Sequence, residues 1–397
     1  MKKIVIFGNL DLPEGSAGAT RCVAFGDLVK SCGYKPILLG VNYSMSDKIK
    51  GKYQNLDYEL LSFKELKYTG SKKILRKKIL KDYIFKWLTE NCTKDNTHCI
   101  ILYNVKSELK WFIKFSENYN IPLIKDVVEW YDKNNFVGIS GFFNYVEDRV
   151  GLFYWNKKCK NIIAISTLFA NFYKEKKCNV IRIPTILDTN LFNNIEYREQ
   201  QKELNKKKIK IMYAGSPMKK DYVFNIVKSL LLLNEDDLNK IELNLYGLTW
   251  NYFLNNGINK NDMIKLKDNV FCHGRVSHEE VKKNLKSTDF TILLRPNVRY
   301  ANAGFPTKVG ESMASGIPVI SNITSDLYLY LHDGVEGIVC DDSTSQACSE
   351  AIKKAINLKS NKLDEMKVNS KKQALQSFDY RAYTEDFGKF LIEVGSE

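Results

Sequence analysis

The stretch RYANAGFPTKVGESMASGIPVISN, residues 299–322, indicates the fold more clearly than any other part of the sequence. Residues 304–307 precede a helical pattern, and the apolar run 317–320 that follows is typical of a buried strand. Free amides at the start of a helix attract an anion. Glu311 lies one turn further on, where its carboxylate accepts hydrogen bonds. The stretch therefore predicts an anion-binding loop, a helix and a buried parallel strand.

The composition indicates a globular protein with more than one domain. The chain has 397 residues, which is beyond the usual size of a single hydrophobic core. Its formal net charge of +14 suits nucleic acid, anionic lipid or phosphorylated small molecules as partners. Nucleic acid is not expected, because the sequence contains no recognisable nucleic-acid module.

The cysteines and the start of the chain suggest a cytoplasmic protein. The nine cysteines and four histidines show no zinc-ligand spacing, so we interpret the cysteines as reduced, small apolar side chains. Met1 leads almost directly into a strand pattern, and no leader peptide is expected. No apolar run approaches the ~20 residues that a membrane span requires. Any membrane contact is therefore expected to be peripheral.

Short apolar, β-branched runs alternate with longer helical patterns, which is typical of parallel sheets covered by helices on both faces. The pattern starts twice, so we predict two Rossmann-like, doubly wound domains that face each other across a cleft. The predicted strands of the first half are 4–7, 36–39, 99–102, 123–128 and 162–165. Those of the second half are 209–213, 242–246, 269–271, 290–294, 317–320 and 337–340.

The predicted boundaries follow from where this pattern is interrupted. The first domain covers residues 1–185, and a linker without sustained period covers 186–208. The second domain covers residues 209–375. Residues 376–397 contain a helix with one apolar side, which packing on the first domain would bury.

The loop after the first strand, GNLDLPEGSAGATRCVAF, has glycines at a strand-to-helix turn. Gly15 and Gly18 would let the backbone approach a phosphate at the helix start. The spacing is not that of a dinucleotide fingerprint. A turn that serves only chain reversal is the alternative.

The loop after the first strand of the second domain, MYAGSPMKKDYVF, combines small residues with two cations. Gly215 and Ser216 open it, and Lys219 and Lys220 are predicted to lie in the first turn of the next helix. A cation is unfavourable there unless an anion lies between it and the helix, so the loop indicates a bound phosphate. A solvated lysine pair is the alternative.

The loop quoted first completes a site for a nucleoside diphosphate. It would contribute amides at the helix start, the charge of Lys308, and Glu311 as acceptor for a vicinal diol such as ribose. The backbone at this helix start belongs to Gly304, Phe305, Pro306 and Thr307. All of these except Pro306 have an N–H group that can donate a hydrogen bond.

Taken together and in this order, these segments resemble the GT-B glycosyltransferases, in particular the retaining glycosyltransferase family four. Further matching segments are AISTLFANFYKEK, IPTILDTNLF and VFCHGRVSHEEV. The resemblance implies a nucleotide-sugar donor bound by the second domain and an acceptor bound by the first. It also implies that Lys220 neutralises the leaving diphosphate, that Glu311 binds the donor ribose and that Arg275 contacts the base or phosphate.

The chain departs from the family pattern at three positions. Ala303 stands where the family often has a glutamate that faces the donor sugar, and Ser216 stands where an arginine is usual. Glu129 is our candidate for the place of a histidine that faces the donor sugar, and a surface ion pair is the alternative. With Lys220 and Lys308, it completes the predicted catalytic set.

Segment 71–88, SKKILRKKILKDYIFKWL, is a candidate for contact with an anionic membrane. On a helix, Leu75, Ile79, Tyr83 and Trp87 would share one side, and Lys72, Arg76, Lys77, Lys81 and Lys86 would flank it. A lipid-linked acceptor would be found at such a surface. The alternative is an ordinary amphipathic helix that packs on the sheet.

The resemblance implies a sugar transfer that retains anomeric configuration, with a glycan or lipid-linked hydroxyl as acceptor. It suggests a place in the synthesis of capsule, lipopolysaccharide or another surface polysaccharide. We expect no cofactor and no metal, because no Asp-x-Asp follows a predicted strand. A different GT-B activity, such as an epimerase, and a catalytically silent nucleotide-binding subunit remain alternatives.

Overall fold

The computed structural model describes residues 1–44, 47–62, 73–133, 136, 138–192, 208–216 and 220–396, with the backbone alone for 73–77 and 278. The chain divides into two compact units. The first consists of Met1–Leu187 and Tyr380–Glu397, and the second of Asp188–Asp379. Lys219, most of the predicted linker and the first two residues of segment 71–88 lie outside the described residues.

A twisted, mostly parallel sheet forms the centre of the first unit. Its described strands are β1 (Lys3–Gly8), β2 (Lys35–Asn42), β3 (Lys50–Tyr53), β4 (Leu56–Ser62), β5 (Thr97–Tyr103), β6 (Leu123–Val127), β7 (Asn161–Ala164) and β8 (Asn179–Arg182). Their order is β3-β4-β2-β1-β5-β6-β7-β8. All pairs are parallel except β3 with β4.

Helices cover both faces of this sheet. They are α1 (Ala17–Ser31), α2 (Lys73–Asn91), α3 (Leu109–Tyr119), α4 (Gly138–Val150), α5 (Asn156–Lys158) and α6 (Thr167–Lys174). A π-helical turn, Gly151–Trp155, joins α4 to α5. Ser16 caps α1, since its hydroxyl oxygen accepts a hydrogen bond from the amide of Ala19 at 3.1 Å.

The side chains of β1 alternate between the two cores. Ile4 and Ile6 pack in the cluster that contains α1, whereas Val5 and Phe7 pack in the cluster that contains α2 and α3. Because both faces are buried, the strand appears in the sequence as a continuous apolar run.

The described part of α2 packs its apolar side on the sheet. Leu80, Ile84, Trp87 and Leu88 belong to the buried cluster, and Tyr83 is exposed. This packing agrees with the alternative interpretation of segment 71–88, an amphipathic helix that covers the sheet. Among the described residues, no helix has the length and apolar character needed to cross a membrane.

The sheet of the second unit is entirely parallel in its described part. Its strands are β9 (Ile209–Ala214), β10 (Ile241–Tyr246), β11 (Val270–Gly274), β12 (Phe290–Leu293), β13 (Val319–Asn322) and β14 (Gly337–Cys340). The order is β11-β10-β9-β12-β13-β14. The strand order therefore reverses between β9 and β12, and ligands of such sheets bind beyond the carboxyl ends of the strands at this point.

The helices of the second unit include the one predicted from the stretch 299–322. They are α7 (Val223–Leu230), α8 (Glu235–Leu238), α9 (Trp250–Leu254), α10 (Lys260–Leu266), α11 (His278–Leu285), α12 (Arg299–Ala303), α13 (Thr307–Ala314), α14 (Ser345–Ile356) and α15 (Ser360–Ser377). Short 3-10 turns cover Thr189–Phe192 and Ser325–Leu329. The predicted helix and buried strand are confirmed as α13 and β13.

The C-terminal segment belongs to the first unit, as predicted. A 3-10 turn, Tyr380–Tyr383, leads into the last helix, α16 (Thr384–Ser396). Phe387, Phe390 and Leu391 are buried in the cluster that contains α1, and the ring of Phe387 lies 5.9 Å from that of Phe25. The terminal helix thus completes the core on one face of the first sheet.

We predict that Phe387→Ala lowers the free energy of unfolding of the first unit by about 3–5 kcal/mol, because it leaves a cavity in this core. Urea titration of the full chain, followed by circular dichroism, measures the effect. Ile392→Ala is the matched control on the same helix, since Ile392 is 65% exposed. An equal loss in both variants would contradict the packing role of α16.

Candidate functional site

A buried carboxylate holds two cations at the reversal point of the second sheet. Lys308 Nζ lies 2.5 Å from Asp221 Oδ2, and Arg295 Nε lies 3.1 Å from Asp221 Oδ1. The hydroxyl of Tyr213 donates to Asp221 Oδ2 at 2.9 Å. The Asp221 side chain is 3% exposed and that of Lys308 is 31% exposed. We call these four residues the Asp221 cluster.

Each member of the Asp221 cluster comes from a segment that ends or begins at the same sheet edge. Tyr213 is the last residue but one of β9, and Asp221 follows the loop after this strand. Arg295 follows β12, and Lys308 is in the first turn of α13. The amide of Tyr222 donates to the carbonyl of Leu294 at 2.8 Å, which joins the loop after β9 to the end of β12. Parallel strand ends thus bring together residues that are far apart in sequence.

The charges of the cluster shift the pKa values of its members. Burial lowers the pKa of Lys308, and the attraction of Asp221 opposes that shift. Burial alone would raise the pKa of Asp221, but the charges of Lys308 and Arg295 outweigh it and the pKa lies below its ordinary value. Asp221 therefore stays ionised and keeps a cation beside the loop after β9.

Gly215 leaves the space that Lys308 occupies. Its φ is +143°, a conformation that favours glycine, and a Cβ at this position would lie 2.6 Å from Lys308 Cε. The ammonium of Lys308 also lies 4.3 Å from the ring centroid of Tyr213. Gly215 and Lys308, both predicted from sequence, are thus direct neighbours.

A pocket beside the cluster combines the cation with Glu311. It has about 470 Å³ of empty space, part of it open to solvent. Tyr213, Lys308 and Glu311 line it together with apolar side chains of β12 and α11. An ammonium near one end and a carboxylate one helical turn away are suited to an anion and a diol, respectively.

The other described site residues that were predicted in the second unit are not among the residues that line this pocket. Lys220 directly precedes Asp221 and is half-buried; it lies before α7 and not, as was predicted, in its first turn. Ser216 is exposed, and Thr307 begins α13. Arg275 is exposed in the loop after β11. The structure brings Gly215, Lys308 and Glu311 together; it does not place Lys220, Thr307 or Arg275 among the pocket residues.

The residues before α13 would contribute backbone atoms to a binding site, while their side chains pack in the protein. Phe305 is buried, with its ring 5.5 Å from Tyr330 and 5.6 Å from Phe378. Pro306 is buried and occupies the N-cap position of α13. Gly304 is half-buried and has an extended backbone. The Phe305 side chain is thus committed to the core, and a ligand would meet the backbone here.

Two predicted site residues belong to the first unit. Gly18 lies in the first turn of α1, where a Cβ would lie 2.7 Å from the ring of Tyr103. Close packing is thus one reason for glycine at this position. Glu129 follows β6 and lines a second pocket of about 490 Å³ with Lys106 and Asp148, whose side chains form an ion pair at 2.9 Å.

The sequence analysis missed Asp221, Arg295 and Tyr213. Asp221 directly follows the lysine pair, where a carboxylate is usually part of a solvated charge run. Tyr213 precedes Gly215 by two residues and could have been identified from sequence. It lies at the carboxyl end of a predicted strand, where parallel sheets bind their ligands. Arg295 follows the predicted strand 290–294 without any motif of its own.

Sequence comparison finds similarity to a known family within the second unit. Residues 194–373 match the family described as Glycosyl transferases group 1. Over 249 residues, 59% of this chain, the sequence is 26% identical to an uncharacterized glycosyltransferase of Methanocaldococcus jannaschii. The match covers 59% of that protein, so the chain spans about three-fifths of the length of this curated relative.

Solved structures resemble the chain over its full length. Sucrose-phosphate synthase from Thermosynechococcus elongatus has a TM-score of 0.76 at 13% identity, with 100% of both chains covered. HepE from Anabaena, in complex with UDP and glucose, has a TM-score of 0.66 at 16% identity, with 98% of this chain and 99% of that chain covered. A mostly parallel and a parallel α/β sheet, together with the C-terminal helix, define a protein of the GT-B fold. Over residues 194–373, the chain is similar to the glycosyl transferases group 1 family.

We predict that Asp221→Asn destabilises the second unit by about 3 kcal/mol at neutral pH, because it leaves two cations without their buried partner. Since the folded-state pKa of Asp221 is lowered, its contribution is complete above the unfolded value of about 4 and is lost as the pH falls further.

Urea titrations of both proteins between neutral pH and about pH 3 should therefore show the stability difference narrowing in acid. Asp236→Asn, at an exposed position of α8, is the control and should track the wild-type curve. A difference between Asp221→Asn and wild type that stays constant with pH would contradict the charged role of Asp221.

Proposed function

We propose that this chain transfers a sugar, with retention of configuration, from a nucleoside-diphosphate donor to a hydroxyl of a glycan or lipid-linked acceptor. The observation that carries the proposal is the position of Lys308. Its ammonium is held by Asp221 and Tyr213, directly beside Gly215, in the pocket that Glu311 also lines. The family match over residues 194–373 and the complex of the structurally similar HepE with UDP and glucose support a nucleotide-sugar donor.

The proposed reaction needs stabilisation of the departing diphosphate more than it needs an enzyme nucleophile. The bond between the anomeric carbon and the diphosphate oxygen breaks, and the acceptor oxygen bonds to that carbon on the same face. The proton of the acceptor hydroxyl passes to the departing phosphate oxygen. Lys308 and Lys220 would offset the charge that develops on the diphosphate. Glu311 would accept hydrogen bonds from the ribose hydroxyls, and Arg275 would contact the base or phosphate.

The remaining predicted residues fit secondary parts of this proposal. The backbone of residues 304–307 would bind hydroxyls of the donor sugar, and Gly215, Ser216 and Lys219 would contact the diphosphate. Gly18 would contribute an amide and Glu129 would face the donor sugar. The pathway we propose is surface polysaccharide synthesis, such as that of capsule or lipopolysaccharide, on the cytoplasmic side.

We predict that Lys308→Ala and Lys220→Ala each lower kcat/KM by about 100-fold or more, equivalent to about 3 kcal/mol of transition-state stabilisation. The measurement is release of nucleoside diphosphate from a panel of nucleotide sugars, with and without acceptor sugars. Lys228→Ala, at an exposed position of α7, is the control and should retain wild-type turnover.

Thermal melts of each variant separate loss of activity from loss of fold. Wild-type turnover in both Lys308→Ala and Lys220→Ala would contradict the proposed leaving-group role. Nucleotide binding without release of sugar from any donor would instead indicate a silent subunit. Interconversion of the donor sugar without transfer would indicate an epimerase.

We also predict that turnover does not change when a chelator is added, because lysines rather than a metal would neutralise the diphosphate. Initial rates with and without EDTA, and after dialysis against it, measure this. A requirement for added Mg²⁺ or Mn²⁺ would contradict the assignment of that charge to Lys220 and Lys308.

A further inference from the structure

One stretch of the first unit turns apolar side chains outward along a continuous helical segment. Between residues 139 and 154, α4 and the π-helical turn expose seven large apolar side chains: Ile139, Phe142, Phe143, Val146, Val150, Phe153 and Tyr154. Ile139 is 82% exposed and Phe143 is 66% exposed. We call these seven residues the outward stripe.

The spacing of the outward stripe places its members on one side of the segment. At about 100° per residue, the five members that belong to α4 fall within an arc of roughly 100°. Phe153 and Tyr154 are exposed in the π-helical turn that follows. Asp148 lies opposite the arc and is buried in its ion pair with Lys106. The large apolar side chains of α4 therefore point outward, whereas its buried residues are Gly141 and Asp148.

Cations surround the C-terminal end of the outward stripe. Lys157 Nζ and Lys158 Nζ lie 5.7 Å and 5.5 Å from the ring centroid of Tyr154. Lys176 Nζ lies 4.4 Å from the ring of Phe172, which packs 5.5 Å from the ring of Phe153. Lysines beside exposed aromatic rings can extend towards lipid headgroups while the rings enter the acyl boundary.

We propose that the outward stripe binds the surface of an anionic lipid bilayer. A contiguous apolar face of this size is uncommon on a monomer unless it has a partner, and the lysines favour a partner with negative charge. A bilayer with anionic lipid would bury the apolar side chains of the stripe and attract the lysines beside it.

The proposal concerns a surface that the sequence analysis did not identify. Segment 71–88 was predicted to contact the membrane, but the described apolar side of α2 is packed in the core. Binding to lipid is independent of sugar transfer, so it is measured without donor. Failure of the proposed function would leave its result unchanged.

The test is flotation of the full-length chain with vesicles of phosphatidylcholine containing phosphatidylglycerol, and with phosphatidylcholine alone. The wild-type chain should float with the anionic vesicles and release at high salt. Phe142→Ser together with Phe143→Ser should weaken the partition by at least about tenfold. Lys157→Gln together with Lys158→Gln should weaken it less and reduce its salt dependence.

The matched control is Ile264→Ser together with Val368→Ser, two exposed apolar side chains of the second unit. This variant should float like wild type. Absence of flotation, equal flotation of Phe142→Ser/Phe143→Ser and wild type, or equal binding to neutral vesicles would each overturn the proposal.

Light scattering and thermal melts complete the design. A dimer that Phe142→Ser/Phe143→Ser dissociates, in a chain that does not float, would assign the stripe to a second copy and overturn the bilayer. Unchanged melting of that variant, combined with lost flotation, would support the bilayer as the partner of a correctly folded surface.

Discussion

The buried carboxylate of Asp221 is the constraint on which the proposed chemistry depends. An ionised carboxylate this far from water is stable only when it is paired and hydrogen-bonded. Tyr213, Lys308 and Arg295 supply those partners from three different segments. Asp221 in turn stabilises the charge of Lys308. Burial favours loss of the Lys308 proton, and the negative charge of Asp221 opposes that loss. A fixed, charged lysine beside Gly215 is the result, at the edge where parallel sheets bind their ligands.

The central strands could be predicted from sequence because both of their faces are buried. Residues 4–7 of β1 therefore form a continuous apolar run, and the apolar run 317–320 leads into β13. The sequence analysis missed β3, β4 and β8, which lie at or near the sheet edges. β3 alternates between exposed and half-buried positions, and β8 is half-buried throughout, so neither has the expected apolar run. Their strand conformation depends on pairing with a neighbour, which the local sequence does not contain.

The candidate site was predictable where local rules apply and not where distant segments meet. Lys308 and Glu311 follow from the amides and charges expected at a helix start. The role of Asp221 depends on β12 and α13 approaching the loop after β9, and a carboxylate next to lysines has no local feature that marks it as buried. Local sequence likewise does not show whether the apolar side of a helix faces the core or the solvent. The apolar side of α2 packs inward and that of α4 points outward, although both segments have an apolar side in the sequence.

The geometry of α4 connects the proposed acceptor to the proposed membrane contact. Asp148 lies on the inward side of α4 and lines the pocket of the first unit that also contains Glu129. The outward stripe occupies the opposite side of the same helix, whose diameter with side chains is about 10–12 Å. If the stripe rests on a bilayer, a sugar attached to a lipid headgroup has to cross only about this distance to reach the pocket. A soluble glycan acceptor would gain nothing from that placement. The outward stripe therefore favours, of the two proposed acceptor classes, the lipid-linked one.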